Sequence, residues 1–459
     1  MRPSKDTLLG YIREGHTMSL GDKMRLTAIL SAPAMLAQLS YIIMQYIDAS
    51  MVGSLGADAS ASIGLISTTT WLFGGLCSSV STGFSVQVAH AIGANDFAGA
   101  RKILRESLFA SLAFGLLLMG VGLAISPFLP VWLGGDASIC ADSSAYFMVF
   151  SLLVPLLQMR GLCSAMLRCS GNMKVPSLVN VAACALDVLF NWIFIYKVGL
   201  GVFGAALGTA VAEVCCTALM MYFLLFRNKG LNILERDDAE HRRFLPSRQV
   251  LKKALHIGTP LGVEHFIMCG AQIMSTVIVA PLGTVAIAAN SFGITIEALC
   301  YMPGYGIAEA ATTLVGQSLG AKRSSLARSF GWITVCAGIA IMTVMGVVMY
   351  VFAPALMTIM SPDLEVQHLA SEVLRIESFA EPMFAASIVA YGMFVGSGDT
   401  IIPCTMNLTS IWLVRITLAA LLSSTMGLHG VWIAMAVELC FRGIIFLVRM
   451  RSSKWSRIK

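Results

Sequence analysis

Long stretches of this chain carry no charge. No Asp, Glu, Lys or Arg occurs from Leu26 to Ile47, from Ala59 to Asn95, from Ser107 to Gly135, or from Ser329 to Pro362. A helix needs roughly 20 apolar residues to cross a bilayer core, and backbone polar groups in lipid must be satisfied within their own segment. The pattern therefore predicts an all-α integral membrane protein with twelve transmembrane helices. Their expected positions are residues 26–50, 59–90, 104–130, 143–166, 176–197, 201–226, 254–279, 284–318, 329–353, 373–395, 401–424 and 429–450. The second and eighth exceed what a bilayer requires, so they should tilt, bend or project from it. Pro303-Gly304 offers a kink point in the eighth.

Composition supports this. The 459 residues are 57% hydrophobic and 12% charged, against about 25% charged in soluble domains. No cleavable signal peptide is evident: charges punctuate the first 25 residues and no short apolar core ends in a small-residue cleavage site. The first span is expected to direct insertion. The 12 Cys lie mostly in apolar runs without paired C-x-x-C spacing, which predicts packing as small hydrophobes rather than disulfides or metal ligands.

Lys and Arg alternate between loops. One set holds the N-terminus, Arg101, Lys102, Arg105, Arg168, Lys174, the segment 227–253, Lys322, Arg323, Arg328 and the tail after Arg449. The opposite set holds mainly Asp58, Asp136, Asp142, Asp363, Glu365 and Glu372. The positive-inside rule then puts both termini in the cytoplasm of a protein in the cell's inner (plasma) membrane. The net charge of +6 is mostly this bias. Basic residues in short loops beside apolar spans argue against nucleic acid as a partner.

The chain also repeats. Shifted by 227 residues without a gap, Pro33 falls on Pro260, Leu55-Gly56 on Leu282-Gly283, Gly93-Ala94 on Gly320-Ala321 and Asp136 on Asp363. Pro155 falls on Pro382, Ser170-Gly171 on Ser397-Gly398, Pro176 on Pro403 and Asn180 on Asn407. Shared Pro and Gly mark backbone bends and close helix contacts. Two pseudo-symmetric six-helix bundles are expected, in residues 26–226 and 254–450, flanked by a cytoplasmic segment 1–25, a linker 227–253 and a tail 451–459. An even span count per half makes the repeat parallel, and a substrate cavity with alternating access is the expected mechanism.

Several motifs resemble a known family. Asp48-Ala49-Ser50-Met51-Val52-Gly53-Ser54-Leu55-Gly56 resembles the D-x-x-M-V-G-x-L-G pattern of multidrug and toxic compound extrusion (MATE) transporters, as does Gly93-Ala94-Asn95-Asp96. Leu167-Arg168-Cys169-Ser170-Gly171-Asn172 is similar to that family's R-G-x-G-[ND] turn, with Cys169 where Gly is usual, and Gly396-Ser397-Gly398-Asp399-Thr400 to its second-half version. Asn191-Trp192-Ile193-Phe194-Ile195 and Gly201-Val202-Phe203-Gly204-Ala205-Ala206 resemble the junction of the fifth and sixth spans. The resemblance covers nearly the whole chain. It implies efflux of small organic, often cationic, compounds by a monomer in exchange for H+ or Na+, with no cofactor.

An ionisable group inside a span costs at least a few kcal/mol, so each needs a reason. Asp187 and Asn191 share one face of the fifth span by i, i+4 spacing. With Asp48 they could hold a proton or a Na+, a hard cation that prefers oxygen ligands. The resemblance implies a coupling cluster at the same place: an Asp in span 1 at Asp48, an Asn/Asp pair in span 5 at Asp187 and Asn191, and a Thr in span 6 at Thr209. The acid and amide of span 5 are exchanged relative to the usual order. An interfacial, solvated Asp48 and a packing role for Thr209 remain alternatives.

The second half holds Glu264, His265, Glu297, Glu309, Glu377 and Glu381, with Glu213 and Glu438 in spans 6 and 12. The family's sodium-coupled branch uses a Glu in span 7 and an Asp in span 10, but Glu264 is about one turn too close to Pro260 and Phe384 stands near the Asp position. Glu264, Glu381, His265, Arg415 and Gln45 are expected to line a substrate cavity. Pairing of the acids with Arg415 or His265 would make them structural instead. The acids do not repeat: Asp48 maps to Ser275, Asp187 to Val414 and Glu264 to Ala37.

A lipid-linked saccharide flippase of the same broad superfamily is the second reading. It would need cationic groups for pyrophosphate, and only Arg415 is plainly mid-span, with Arg160 and Arg442 nearer the ends. An intramembrane enzyme finds no convergent His set, no H-E-x-x-H motif and no phosphate loop.

Overall fold

The structure, a computed structural model, describes residues 3–228, 230–232 and 245–456. Parts of the predicted linker 227–253, and Arg2, Arg457 and Lys459 of the termini, lie outside the described residues. All regular structure among those described is helical. The helices are α1 (Lys5–Arg13), α2 (Leu20–Gly53), α3 (Ala57–Gly93), α4 (Phe97–Ile125), α5 (Leu129–Trp132), α6 (Ala137–Cys169), α7 (Lys174–Trp192) and α8 (Gly201–Tyr222). They continue with α9 (Arg248–Val279), α10 (Thr284–Gly320), α11 (Ser324–Met360), α12 (Leu364–Ser378), α13 (Glu381–Ser397), α14 (Ile401–Thr409) and α15 (Thr417–Arg451). Wide π turns extend α7 over Ile193–Lys197 and α8 over Phe223–Arg227, and join α14 to α15 over Ser410–Ile416.

Among the described residues, ten helical runs are long and apolar enough to cross a membrane. The tenth predicted span is an eleventh, bent by 59° between α12 and α13. The run Ile401–Arg451 is too long for one crossing at 51 residues. It breaks at Gly427, whose φ of 57° and ψ of −136° are non-helical, and the break separates the eleventh and twelfth predicted spans. At 37 residues each, α3 and α10 are about 55 Å long against a core of about 30 Å, in line with the excess length expected of the second and eighth spans. Helix α10 runs on through Pro303. A sharp bend falls in span 10, where Pro382 lies in the first turn of α13 and has no N–H to continue α12.

The repeat is written into the backbone. Left-handed φ values recur at the shift of 227: Gly56 with Gly283, Asn95 with Lys322, and Gly171 with Gly398. Asp136 caps α6 by accepting from Ser138 N, and its counterpart Asp363 caps α12 by accepting from Glu365 N and Val366 N. Such caps satisfy amide groups that the first helical turn leaves without partners.

The chain divides into two compact units, Ser40–Gly262 and the pair Met1–Leu39 with Val263–Lys459. The division falls inside α2 and α9 rather than between the sequence halves. In the first unit α6 is the central helix, packed on α3, α4 and α8. Small residues permit this closeness: a Cβ on Gly115 would meet Pro155 Cα at 2.9 Å. In the second, α13 plays that part against α10, α11 and α15. There Thr312 Oγ1 donates to Gly392 O at 2.7 Å, and a Cβ on Gly392 would strike the Ala308 carbonyl at 2.6 Å. Phe330, Phe394, Phe446 and Trp432 fill the second core, and Phe147 and Leu162 the first.

Candidate functional site

Four residues singled out from sequence come together in the first unit. Helix α2 brings Asp48, α7 brings Asp187 and Asn191, and α8 brings Thr209. The Asn191 amide donates to Asp48 Oδ1 at 3.0 Å and to Asp187 Oδ2 at 3.2 Å. Asp48 and Thr209 both lie near the Asp187 carboxyl. Asp187 and Asn191 are buried, whereas Asp48 and Thr209 are half-buried. Asp48 is thus half-buried and tied to α7 through Asn191. Asp187 Oδ1 and Asn191 Oδ1 have no hydrogen-bond partner, so the cluster retains free oxygen acceptors.

Gly208 makes room for this. A Cβ there would collide with Asn191 Oδ1 and lie 2.7 Å from Asn191 N and 2.9 Å from its Cα. Close approach of α8 to α7 depends on that missing side chain.

A second polar group adjoins the first. Arg160 Nε lies 2.7 Å from Glu213 Oε2, and Arg160 Nη1 donates to Asn180 Oδ1 at 3.2 Å. Gln45 Nε2 donates to the Tyr41 hydroxyl at 2.9 Å, and Tyr41 lies near Arg160 and Glu213. Tyr146 lies near Asp48, Asp187 and Tyr41. The two groups share helix faces: Tyr41, Gln45 and Asp48 follow i, i+4, i+7 spacing on α2, and Asn180, Cys184, Asp187 and Asn191 continue it on α7.

In the second unit the predicted acids separate into two places. Glu264 accepts from the Tyr391 hydroxyl and, at 2.8 Å, from Asn407 Nδ2, with Cys404 beside Tyr391. Neutral donors therefore hold its carboxyl. Glu381 lies elsewhere, near Glu297 and Glu377. Arg415, in the π turn against Met435 Sδ, faces Glu297 and Glu377. Glu438 accepts from Ser410 Oγ at 2.5 Å and from Arg442 Nη2 at 2.9 Å, and Glu309 accepts from Gln38 at 3.2 Å.

The MatE family model matches this chain twice, over residues 33–193 and 260–421. The chain belongs to the MatE family. The two matches begin at Pro33 and Pro260, one repeat length apart. MatE proteins are membrane transporters and not enzymes. Among curated relatives, the probable multidrug resistance protein NorM of Thermotoga maritima is 25% identical over 93% of this chain and 92% of its own. NorM of Neisseria meningitidis serogroup A is 26% identical over 92% of each. Of solved structures, a MATE crystallised in complex with MaL6 matches with a TM-score of 0.89 at 22% identity, over 96% of this chain and 97% of its own. An outward-facing multidrug resistance MATE transporter matches equally well, with the same TM-score, identity and coverage.

Within this MatE chain, sequence reasoning missed Tyr391, Asn407, Tyr41, Tyr146 and Asn180 as partners of the charged groups. The helical spacing on α2 and α7 is a signal that could have found Tyr41 and Asn180. No local pattern points to Tyr391, which reaches Glu264 across 127 positions of sequence.

Proposed function

We propose that this chain is a secondary active antiporter that exports small organic, cationic drugs or metabolites by alternating access in exchange for protons. The observation that carries it is the Asn191 amide bridging Asp48 and Asp187. Two carboxyls this close in a low-dielectric site cannot both stay ionised without a cation to join them. An amide giving its N–H groups to both leaves its oxygen turned away from the shared space, which suits a proton better than a metal ion. Filling and emptying the pair changes the bonding between α2 and α7, and so gives the ion a means of biasing conformation.

Family membership and NorM relatives named for multidrug resistance support the substrate class. Glu264, buried and held by neutral donors, supplies attraction for organic cations. The basic loops favour an inner-membrane orientation with both termini cytoplasmic. The flippase reading loses its anion site: Arg160 faces Glu213, Arg442 faces Glu438, and Arg415 faces Glu297 and Glu377.

The test uses purified protein in proteoliposomes loaded with a fluorescent organic cation. A proton gradient should drive counter-transport, and a Na+ gradient at equal pH should not. Transport driven by Na+ alone would reassign the ion, and transport driven by neither would refute coupled export.

A further inference from the structure

The second unit contains a buried acidic cluster that the Asp48–Asp187 pair does not explain. It lies at the 59° break of span 10. Glu377 sits at the end of α12 and Glu381 opens α13, and both are fully buried, at 0% exposure. Glu297 approaches from α10 at 6% exposure. Neither oxygen of Glu377 and neither oxygen of Glu381 has a hydrogen-bond partner. Four acceptor oxygens on two acids thus stand in the protein interior without a donor.

The surroundings do not balance that charge. Helix α10 presents Glu297 and Cys300, the π turn presents Arg415, and α15 presents Glu438, Cys440 and Arg442. Arg442 is taken by Glu438, at 2.8 Å. Arg415 faces Glu297 and Glu377, Arg442 also reaches Glu297 from its pair with Glu438, and Glu381 has Glu297 as its charged neighbour. Helix α11 contributes Gly346, where a Cβ would press on Glu381 Cβ at 3.2 Å. A buried carboxylate without donors costs far more than one with them, so these two acids need a cation or a proton of their own. Among the described residues no three acids, His or Cys are placed to hold one metal ion. A proton makes no such demand, since it binds one oxygen and donates to one neighbour.

The arrangement belongs to this half alone. At the matched positions of the first half stand Phe150 for Glu377, Val154 for Glu381, Thr70 for Glu297 and Val188 for Arg415. The matched helix α6 is also unbroken where span 10 bends. The acids and the break therefore occur together.

We propose that Glu377 and Glu381 form a second proton-binding site, held in the second unit at the break of span 10 and filled separately from the Asp48–Asp187 pair. The two acids straddle the bend, so a change in their protonation alters the repulsion across it.

Infrared spectroscopy of the purified full-length protein at neutral pH tests this without relying on transport. Protonated carboxylic acids absorb apart from carboxylates and shift on exchange into heavy water. The wild type should show bands that diminish in E377Q and in E381Q and lose both acids' share in E377Q/E381Q, while D187N leaves those bands in place. E377D/E381D should retain shifted bands, which separates loss of the site from loss of the fold. Unchanged bands in E377Q/E381Q overturn the proposal, and so does their disappearance from the wild type on adding Na+ alone. Failure of coupled export would appear only in transport assays and would leave these spectra unaffected.

Discussion

Replacing Gly208 with Ala should disable the Asp48–Asp187–Asn191 cluster while leaving every polar side chain in the sequence. The new Cβ would lie 2.7 Å from Asn191 N and 2.9 Å from Asn191 Cα. These are backbone atoms, so rotating the Asn191 side chain does not relieve the clash. Ordinary contact begins near 3.4 Å, so α7 and α8 must separate by about 0.7 Å, an overpacking that typically costs about 1–3 kcal/mol. Asn191 then moves from positions that place its amide 3.0 and 3.2 Å from the two carboxyls. Hydrogen bonds to charged groups contribute about 1.5–3 kcal/mol, so losing this bridge should lower coupled transport about ten- to a hundredfold. The assay is dye accumulation in inverted membrane vesicles, with a thermal melt of the purified protein alongside. Gly120→Ala is the control, because nothing lies within 4 Å of a Cβ there. Transport and melting equal to wild type in Gly208→Ala would refute the reasoning.

Further outcomes follow from the other polar groups. Arg160→Gln should destabilise the protein by about 3–5 kcal/mol, because it leaves the buried Glu213 without its counter-charge; Arg160→Gln/Glu213→Gln should melt closer to wild type than the single variant, and an equal or lower melt would show that the pair is not what matters. Tyr391→Phe removes a donor to Glu264, a loss of about 1–3 kcal/mol that a thermal melt should register. If Glu264 attracts the substrate, the same variant should change the apparent affinity for an organic cation, and an unchanged affinity would assign Glu264 to packing.

Much of the architecture is local and therefore visible in the chain. Charge-free runs mark the spans because lipid penalises charge wherever it lies. The repeat was legible because glycines at Gly56, Gly283, Gly171 and Gly398 adopt left-handed φ, and Asp136 and Asp363 close the same helix ends. The break of span 10 was less so: Pro155 and Pro382 are matched in sequence, yet only Pro382 follows a bend. A proline permits a break, and neighbouring helices decide whether one forms.

The site divides in the same way. Asp187 and Asn191 are paired by helical spacing, which sequence shows directly, and the meeting with Asp48 and Thr209 followed the family resemblance. The partners of the second-half acids depend on tertiary packing. Glu264 and Glu381 looked alike as mid-span acids, but one is held by Tyr391 and Asn407 and the other is left with no donor at all. Spacing along one helix carries no information about which donor a different helix will bring.

The central claim is that the Asp48–Asp187 pair couples ion entry to export. The most direct measurement compares wild type, Asp48→Asn and Asp187→Asn in inverted vesicles with an imposed acid lumen. The wild type should accumulate dye, and both variants should lose gradient-driven accumulation while still melting as folded proteins. Wild-type accumulation by either variant would contradict the claim.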